Sequence, residues 1–83
     1  MMHRMWDRDI VFAHPQNGRT VVLQDTGAAI VFLFEDWAWA EGPEFRNAVE
    51  ACSRVMELGD DASHETARQA VAMALMAAGV NLR

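Results

Sequence analysis

The sequence predicts an α+β fold in which an antiparallel β-hairpin packs against three α-helices, in the order ββααα. Three observations predict it. Two segments rich in β-branched and other apolar residues flank Asn17-Gly18, a strong hairpin signal. Apolar residues then recur at helical spacing in three successive segments. A hydrophobic share of 52% in 83 residues suits a single small domain that spans residues 1–83.

The predicted strands are residues 9–14 and 19–24, which are rich in β-branched and aromatic side chains. The polar stretch before them predicts a partly ordered tail over residues 1–8. At the other end, residues 80–82 alternate as a short third strand would. That strand would pair either with the hairpin or with another copy of the chain.

The register of the hairpin depends on its loop. A two-residue Asn17-Gly18 loop places Phe12 opposite Leu23 and gives the sheet one apolar face. That face consists of Ile10, Phe12, Val21 and Leu23. A longer loop that begins at Pro15 is the alternative.

The first two helices are predicted from cap residues and apolar stripes. Asp25 or Thr26 caps the first helix, which runs to about Trp37. Its inner stripe comprises Ala29, Ile30, Leu33, Phe34 and Trp37. Pro43 suits the first turn of the second helix, and Gly59 ends it. Its inner stripe comprises Phe45, Ala48, Val49, Cys52, Val55 and Met56.

The last helix, which Asp60, Asp61 and Ser63 are expected to cap and Gly79 to end, has more apolar surface than one core contact requires. Its inner stripe comprises Ala67, Ala70, Val71, Ala74, Leu75 and Ala78. Beyond Gln69 its other faces are apolar too, and such a helix is usually covered on two sides. We therefore expect an interface with a second copy, formed by Ala72, Met73, Met76 and Ala77. Trp39, which is out of phase with the first helix, is expected to join that interface or to line a pocket.

The composition disfavours several classes of function. The formal net charge is −5, and the absence of a basic face argues against nucleic-acid binding. All seven basic residues are Arg, so chemistry that needs a lysine is excluded. Cys52 is the single cysteine, which suits a reducing compartment. No signal-peptide core or membrane-spanning run is present, so we expect a cytoplasmic protein that does not bind membranes.

Four short patterns, in this order and spacing, give the chain a family resemblance. Trp6 precedes the first strand. The other three patterns are Ala29 and Leu33 before Trp37, Gly42 followed by Ala48 and Cys52, and Ser63 leading to Ala67-Arg68 and Gly79-Val80. On these residues the chain resembles a small bacterial family, domain of unknown function 982. The family has Trp-Pro where this chain has Trp37-Ala38. The resemblance implies a short α+β domain with no assigned activity, so it assigns no catalytic residue.

Reactive side chains form no recognisable catalytic or metal-binding pattern. The histidines lack metal-like spacing; His14 is expected to flank the turn and His64 to be solvated. Cys52 lies on an apolar helix face and is interpreted as structural. Acidic clusters fall at helix ends, where carboxylates act as caps. Arg68 is the candidate ligand contact, with an ion pair to an acid such as Glu65 as the alternative.

These observations lead to two hypotheses. The first is a cytoplasmic, non-enzymatic protein-interaction module that acts as a homodimer, with no cofactor, metal, nucleic-acid or membrane partner. The second is a small domain that binds an anionic ligand through Arg68 and Trp39.

Overall fold

A computed structural model describes residues 5–83 and shows the predicted strands and helices in the expected order. The elements are β1 (Met5–Ala13), β2 (Thr20–Asp25), α1 (Thr26–Val31), a π-helical turn (Phe32–Asp36), α2 (Pro43–Leu58) and α3 (Asp61–Ala77). β1 and β2 form a two-stranded antiparallel sheet. The predicted α+β fold with the order ββααα is confirmed, because α1 and the π-turn together form the first helix.

The hairpin has the longer loop that begins at Pro15, so the prediction of a two-residue Asn17-Gly18 loop is wrong. Phe12 lies opposite Val21 rather than Leu23. The His14 N–H donates to the Arg19 carbonyl at 2.8 Å, which closes a loop that begins at Pro15. Asn17 stabilises this loop because its Oδ1 accepts the Arg19 N–H at 2.9 Å.

The apolar face of the hairpin is nevertheless as predicted. The observed register differs from the predicted one by two residues. Because side chains alternate with a period of two, a two-residue shift keeps every side chain on its face. Ile10, Phe12 and Leu23 are buried, and Val21 is half-buried.

β1 begins at Met5, so the prediction of a tail is wrong for residues 5–8. Trp6 is buried, and its indole Nε1–H donates to Thr26 Oγ1 at 3.1 Å. Sequence patterns do not indicate this part of the strand because residues 7–9 are charged. The register of the hairpin also shifts between Met5 and Ile10. The remainder of the predicted tail, residues 1–4, lies outside the described residues.

The first helix begins at the predicted cap, since Asp25 Oδ1 accepts the Ala28 N–H at 2.7 Å. Its buried face differs from the prediction. The buried residues are Thr26, Ala29, Phe32 and Leu33. Phe34, predicted inside, is 66% exposed, whereas Phe32 packs edge-on against Phe12 with ring centroids 5.4 Å apart. The face is rotated because Phe32 follows Ala29 by three residues and fills the space under β1.

The second and third helices pack against each other and complete the core. Gly59, with φ of 66°, ends α2 in the left-handed conformation as predicted. Asp60 caps α3, because its Oδ1 accepts the Ser63 N–H at 2.8 Å. Their buried residues are Phe45, Ala48, Cys52, Val55, Ala67, Val71, Ala74 and Leu75. Met56, predicted inside, is 79% exposed, whereas its neighbour Val55 is buried, so the inner stripe of α2 ends at Val55.

The chain after α3 turns back along β1. The N–H groups of Gly79 and Val80 donate to the Met76 and Leu75 carbonyls, both at 3.0 Å, the two bonds of a Schellman motif. Residues 80–83 form no strand, so the third-strand prediction is wrong. A single backbone bond, from the Arg83 N–H to the Val11 carbonyl at 2.8 Å, links this segment to β1 of the same chain.

Candidate functional site

An apolar groove lies between the end of α3, the start of α2 and the segment that connects the π-turn to α2. Its cavity volume is about 310 Å³. We call it the α3 groove, and its lining residues are Trp37, Trp39, Ala40, Gly42, Glu44, Phe45, Ala74, Ala77 and Ala78. The α3 side is lined by alanines, whose small side chains leave room between the two helices. Glu44 is the one ionisable residue in this lining.

One wall of the α3 groove is a packed aromatic cluster. The ring of Trp37 lies 4.8 Å from those of Trp39 and Phe45, centroid to centroid. Trp39 also packs near Phe12 and Phe32, at 6.5 and 6.3 Å. The Trp37 Nε1–H donates to the Ala40 carbonyl at 3.2 Å. These contacts fix both indoles, so the groove is preformed.

Two of the five predicted interface residues line this groove, and a third lies one helical turn away. Trp39 and Ala77 both line it, although they are far apart in sequence. Met73 and Met76 are 59% and 55% exposed, and Met73 precedes Ala77 by one helical turn. Ala72 is half-buried and packs against the chain's own core. We call the groove together with Met73 and Met76 the α3 surface.

Arg68 forms the ion pair that was the alternative to a ligand contact. Its Nη2 and Nε donate to the Glu65 carboxylate at 2.7 and 3.2 Å. This bond raises the pKa of Arg68 and lowers that of Glu65. Arg68 lines a different cavity from Trp39, so the two do not form one ligand site.

A buried hydrogen-bond chain that the sequence analysis missed joins β1, α1 and α3. Thr26 Oγ1 accepts from Trp6 and shares a hydrogen bond with His64 Nδ1, both at 3.1 Å. Thr26 is 3% exposed, and His64 is half-buried rather than solvated as predicted. The partners are 20 and 38 residues apart in sequence, so no local pattern could indicate them. His64 also lines the cavity that contains Arg68, of about 480 Å³.

His14 flanks the turn as predicted and ties it to the π-turn. The Gln16 N–H donates to His14 Nδ1 at 3.2 Å. Because Nδ1 is an acceptor here, Nε2 carries the proton and donates to the Asp36 carbonyl at 3.3 Å. Both ring nitrogens are therefore engaged in holding the loop.

The remaining reactive groups have structural surroundings. Cys52 is fully buried, and burial raises the pKa of its thiol to about 11. Hydrogen bonds from Ser63 lower the pKa of the Asp60 carboxylate, as expected of a helix cap. Over residues 5–83, no three His, Cys, Asp or Glu side chains gather in a group that could hold a metal ion. Nor is any helix in that range long and apolar enough to cross a bilayer.

A family model described as "Protein of unknown function (DUF982)" matches residues 10–82. The chain belongs to this family. The match confirms the resemblance seen in the sequence and takes in β2, all of the helices and the last four residues of β1. Trp6 lies before the matched region. Searches of curated proteins and of solved structures found no significant match.

Proposed function

We propose that this DUF982 protein is a non-enzymatic, cytoplasmic protein-interaction module that acts as a homodimer through its α3 surface. The observation that carries the proposal is a pair of exposed methionines, Met73 and Met76, on the same helix whose last turns line the apolar groove. In a two-fold contact, each protomer supplies the same surface. Met73 and Met76 of one protomer can therefore enter the α3 groove of the other while the reverse contact also forms.

The chemistry of the two parts of the α3 surface is complementary. Methionine is flexible and packs favourably against aromatic rings, so it suits a groove walled by Trp37 and Trp39. Burying a methionine side chain completely contributes about 1.5–3 kcal/mol. A dimer would bury four of them, two from each protomer, together with the apolar walls of both grooves.

The positions of the reactive side chains support a non-enzymatic role. Cys52 is enclosed in the core, and Asp60 is engaged as a helix cap. His14 and His64 hold the hairpin loop and the helix contacts through hydrogen bonds. The buried free thiol also suits the reducing conditions of a cytoplasm.

Sedimentation velocity across micromolar concentrations tests this dimer. The variant Met73→Glu/Met76→Glu places four carboxylates in the proposed contact, so we expect it to lose the association that the wild type makes through the α3 surface. Met56→Glu is the matched control, because Met56 is the more exposed residue and lies near the opposite end of α2 from the groove. Circular dichroism would establish that both variants fold. Association of the double variant with wild-type affinity would contradict the proposal.

An anion site around Arg68 is the second candidate function. Arg8, His64 and Arg68 line one cavity, which favours an anionic ligand there. Three acidic residues also line it, and Glu65 already pairs with Arg68, so this candidate ranks below the dimer. A thermal-shift screen with phosphate, sulfate and dicarboxylates would test it. Stabilisation that Arg68→Ala abolishes would support the site, and the absence of any stabilisation would contradict it.

A further inference from the structure

The outer edge of β2 presents backbone groups that can bind another strand. In an antiparallel pair, successive residues turn their N–H and C=O groups alternately toward and away from the partner strand. The bond between His14 and Arg19 shows that position 19 faces β1. Positions 21 and 23 therefore face β1 as well, while Thr20, Val22 and Gln24 point outward. The same alternation turns Val11 outward on β1, where its carbonyl accepts the Arg83 N–H.

The two edges of the sheet differ in protection. Residues 80–83 run beside β1 and bond to it, as described above. For β2, no backbone hydrogen bond from outside the hairpin reaches Thr20, Val22 or Gln24 within residues 5–83. β2 also lacks the lysines and prolines with which proteins usually block such pairing, and the extra residues of the register shift lie on β1, between Met5 and Ile10. Val22, at its centre, is 44% exposed.

We propose that β2 pairs antiparallel with β2 of a second copy about a two-fold axis at Val22. The two hairpins then form one continuous four-stranded sheet. Val22 lies opposite the partner's Val22, and Thr20 lies opposite the partner's Gln24. All three outward residues of each strand form backbone bonds, and two apolar residues on the inner face, Val21 and the partner's Leu23, become neighbours.

Charge complementarity selects this register. With the axis at Val22, Arg19 lies opposite the partner's Asp25 at both ends of the ladder, and opposite charges at such positions attract. Moving the axis to Val21 or Leu23 removes these pairs and leaves one outward residue of each strand without a partner. Arg19 is exposed, and among the described residues it takes part in no ion pair. Asp25 lies at the opposite end of β2, where its side chain also accepts the Ala28 N–H and caps α1.

The strand pairing goes beyond the proposed dimer. The proposed strand contact uses residues 19–25, none of which belongs to the α3 surface, so each contact can form without the other. Two self-complementary surfaces on one chain give assemblies larger than a dimer.

The test uses sedimentation equilibrium in the Met73→Glu/Met76→Glu background, in which association through the α3 surface is blocked. We expect this background to retain a dimer that Val22→Lys weakens by about tenfold or more in Kd, because two lysines then face each other across the axis. Thr20→Lys is the matched control. It adds the same charge to the same edge but lies opposite the partner's Gln24, so its effect should be several-fold smaller.

A charge rescue tests the register itself. Arg19→Glu places a carboxylate opposite the partner's Asp25 and should weaken the dimer. Adding Asp25→Asn removes the repulsion while keeping an oxygen that caps α1, so association should recover. Lack of any dimer in the background, equal effects of Val22→Lys and Thr20→Lys, or a failed rescue would overturn the proposed pairing. If the wild type and the background associate equally and only Val22→Lys weakens them, the strand pairing stands and the α3 dimer is refuted.

Discussion

Replacing Thr26 by valine tests the buried hydrogen-bond chain that joins β1, α1 and α3. Valine has nearly the same shape, so the substitution removes the hydroxyl and opens no cavity. The Trp6 indole N–H, on a side chain that is 7% exposed, then loses its acceptor. Leaving a buried donor unsatisfied costs about 1–3 kcal/mol. His64 loses its partner as well, so we expect Thr26→Val to lower the free energy of unfolding by about 2 kcal/mol.

Thermal and urea denaturation would measure this loss. For a domain of this size, about 2 kcal/mol corresponds to a fall in Tm of roughly 8–16 °C. Thr26→Ser keeps the hydroxyl and should cost only the buried methyl group, about 1 kcal/mol. Thr66→Val is the matched control, because Thr66 is exposed on α3 and should change stability by less than about 0.5 kcal/mol. If Thr26→Val and Thr66→Val had equal stability, the argument for a stabilising chain would be refuted.

Three further predictions concern Cys52, Gly59 and the pair of acids Asp60 and Glu65. Cys52, enclosed in the core with its pKa raised to about 11, should react with a thiol reagent far more slowly in the folded than in the denatured protein; equal rates would contradict its burial. Gly59→Ala places a side chain at φ of 66° and should cost about 1 kcal/mol in chemical denaturation, whereas no change would contradict the left-handed cap. Hydrogen bonds hold the folded-state pKa values of Asp60 and Glu65 below the ordinary 3.8 and 4.5. Their stabilisation is therefore present above those values and is lost as pH falls below them. Asp60→Asn/Glu65→Gln should flatten that acid dependence in urea titrations, and an unchanged slope would count against these bonds.

The hairpin shows what alternation in a sequence can predict. Alternation identifies the buried face, because the face depends only on whether a position is odd or even. It does not identify which residues pair. That depends on the loop, where Pro15 and the Asn17 side chain outweigh the preference of Asn-Gly for a two-residue turn.

The first helix shows the limit of helical periodicity. A segment that is apolar on several sides has more than one candidate inner stripe. The rotation that buries Phe32 and exposes Phe34 is decided by contacts with Phe12 and Trp39, which lie in other elements. The apolar residues of α2 follow helical spacing more clearly, so fewer inner stripes are possible. Its predicted boundaries and most of its predicted buried face are therefore correct.

Only part of the candidate site could be predicted, because the rest depends on contacts between different elements. The surplus apolar residues of the last helix indicated Met73 and Met76, which are exposed. The groove beside them depends on the path of residues 37–42, which have no periodicity to read. Only the folded chain places Trp39 beside Ala77. The Trp6–Thr26–His64 chain was hidden likewise, because its three members lie in three different elements.

Sedimentation equilibrium of the unmodified chain tests self-association most directly. The chain has a mass of 9.3 kDa. If the α3 surface pairs with a second copy, the weight-average mass should rise with concentration through the micromolar range to at least twice that value. A mass that stays at 9.3 kDa throughout the range would contradict the homodimer on which the proposed function rests.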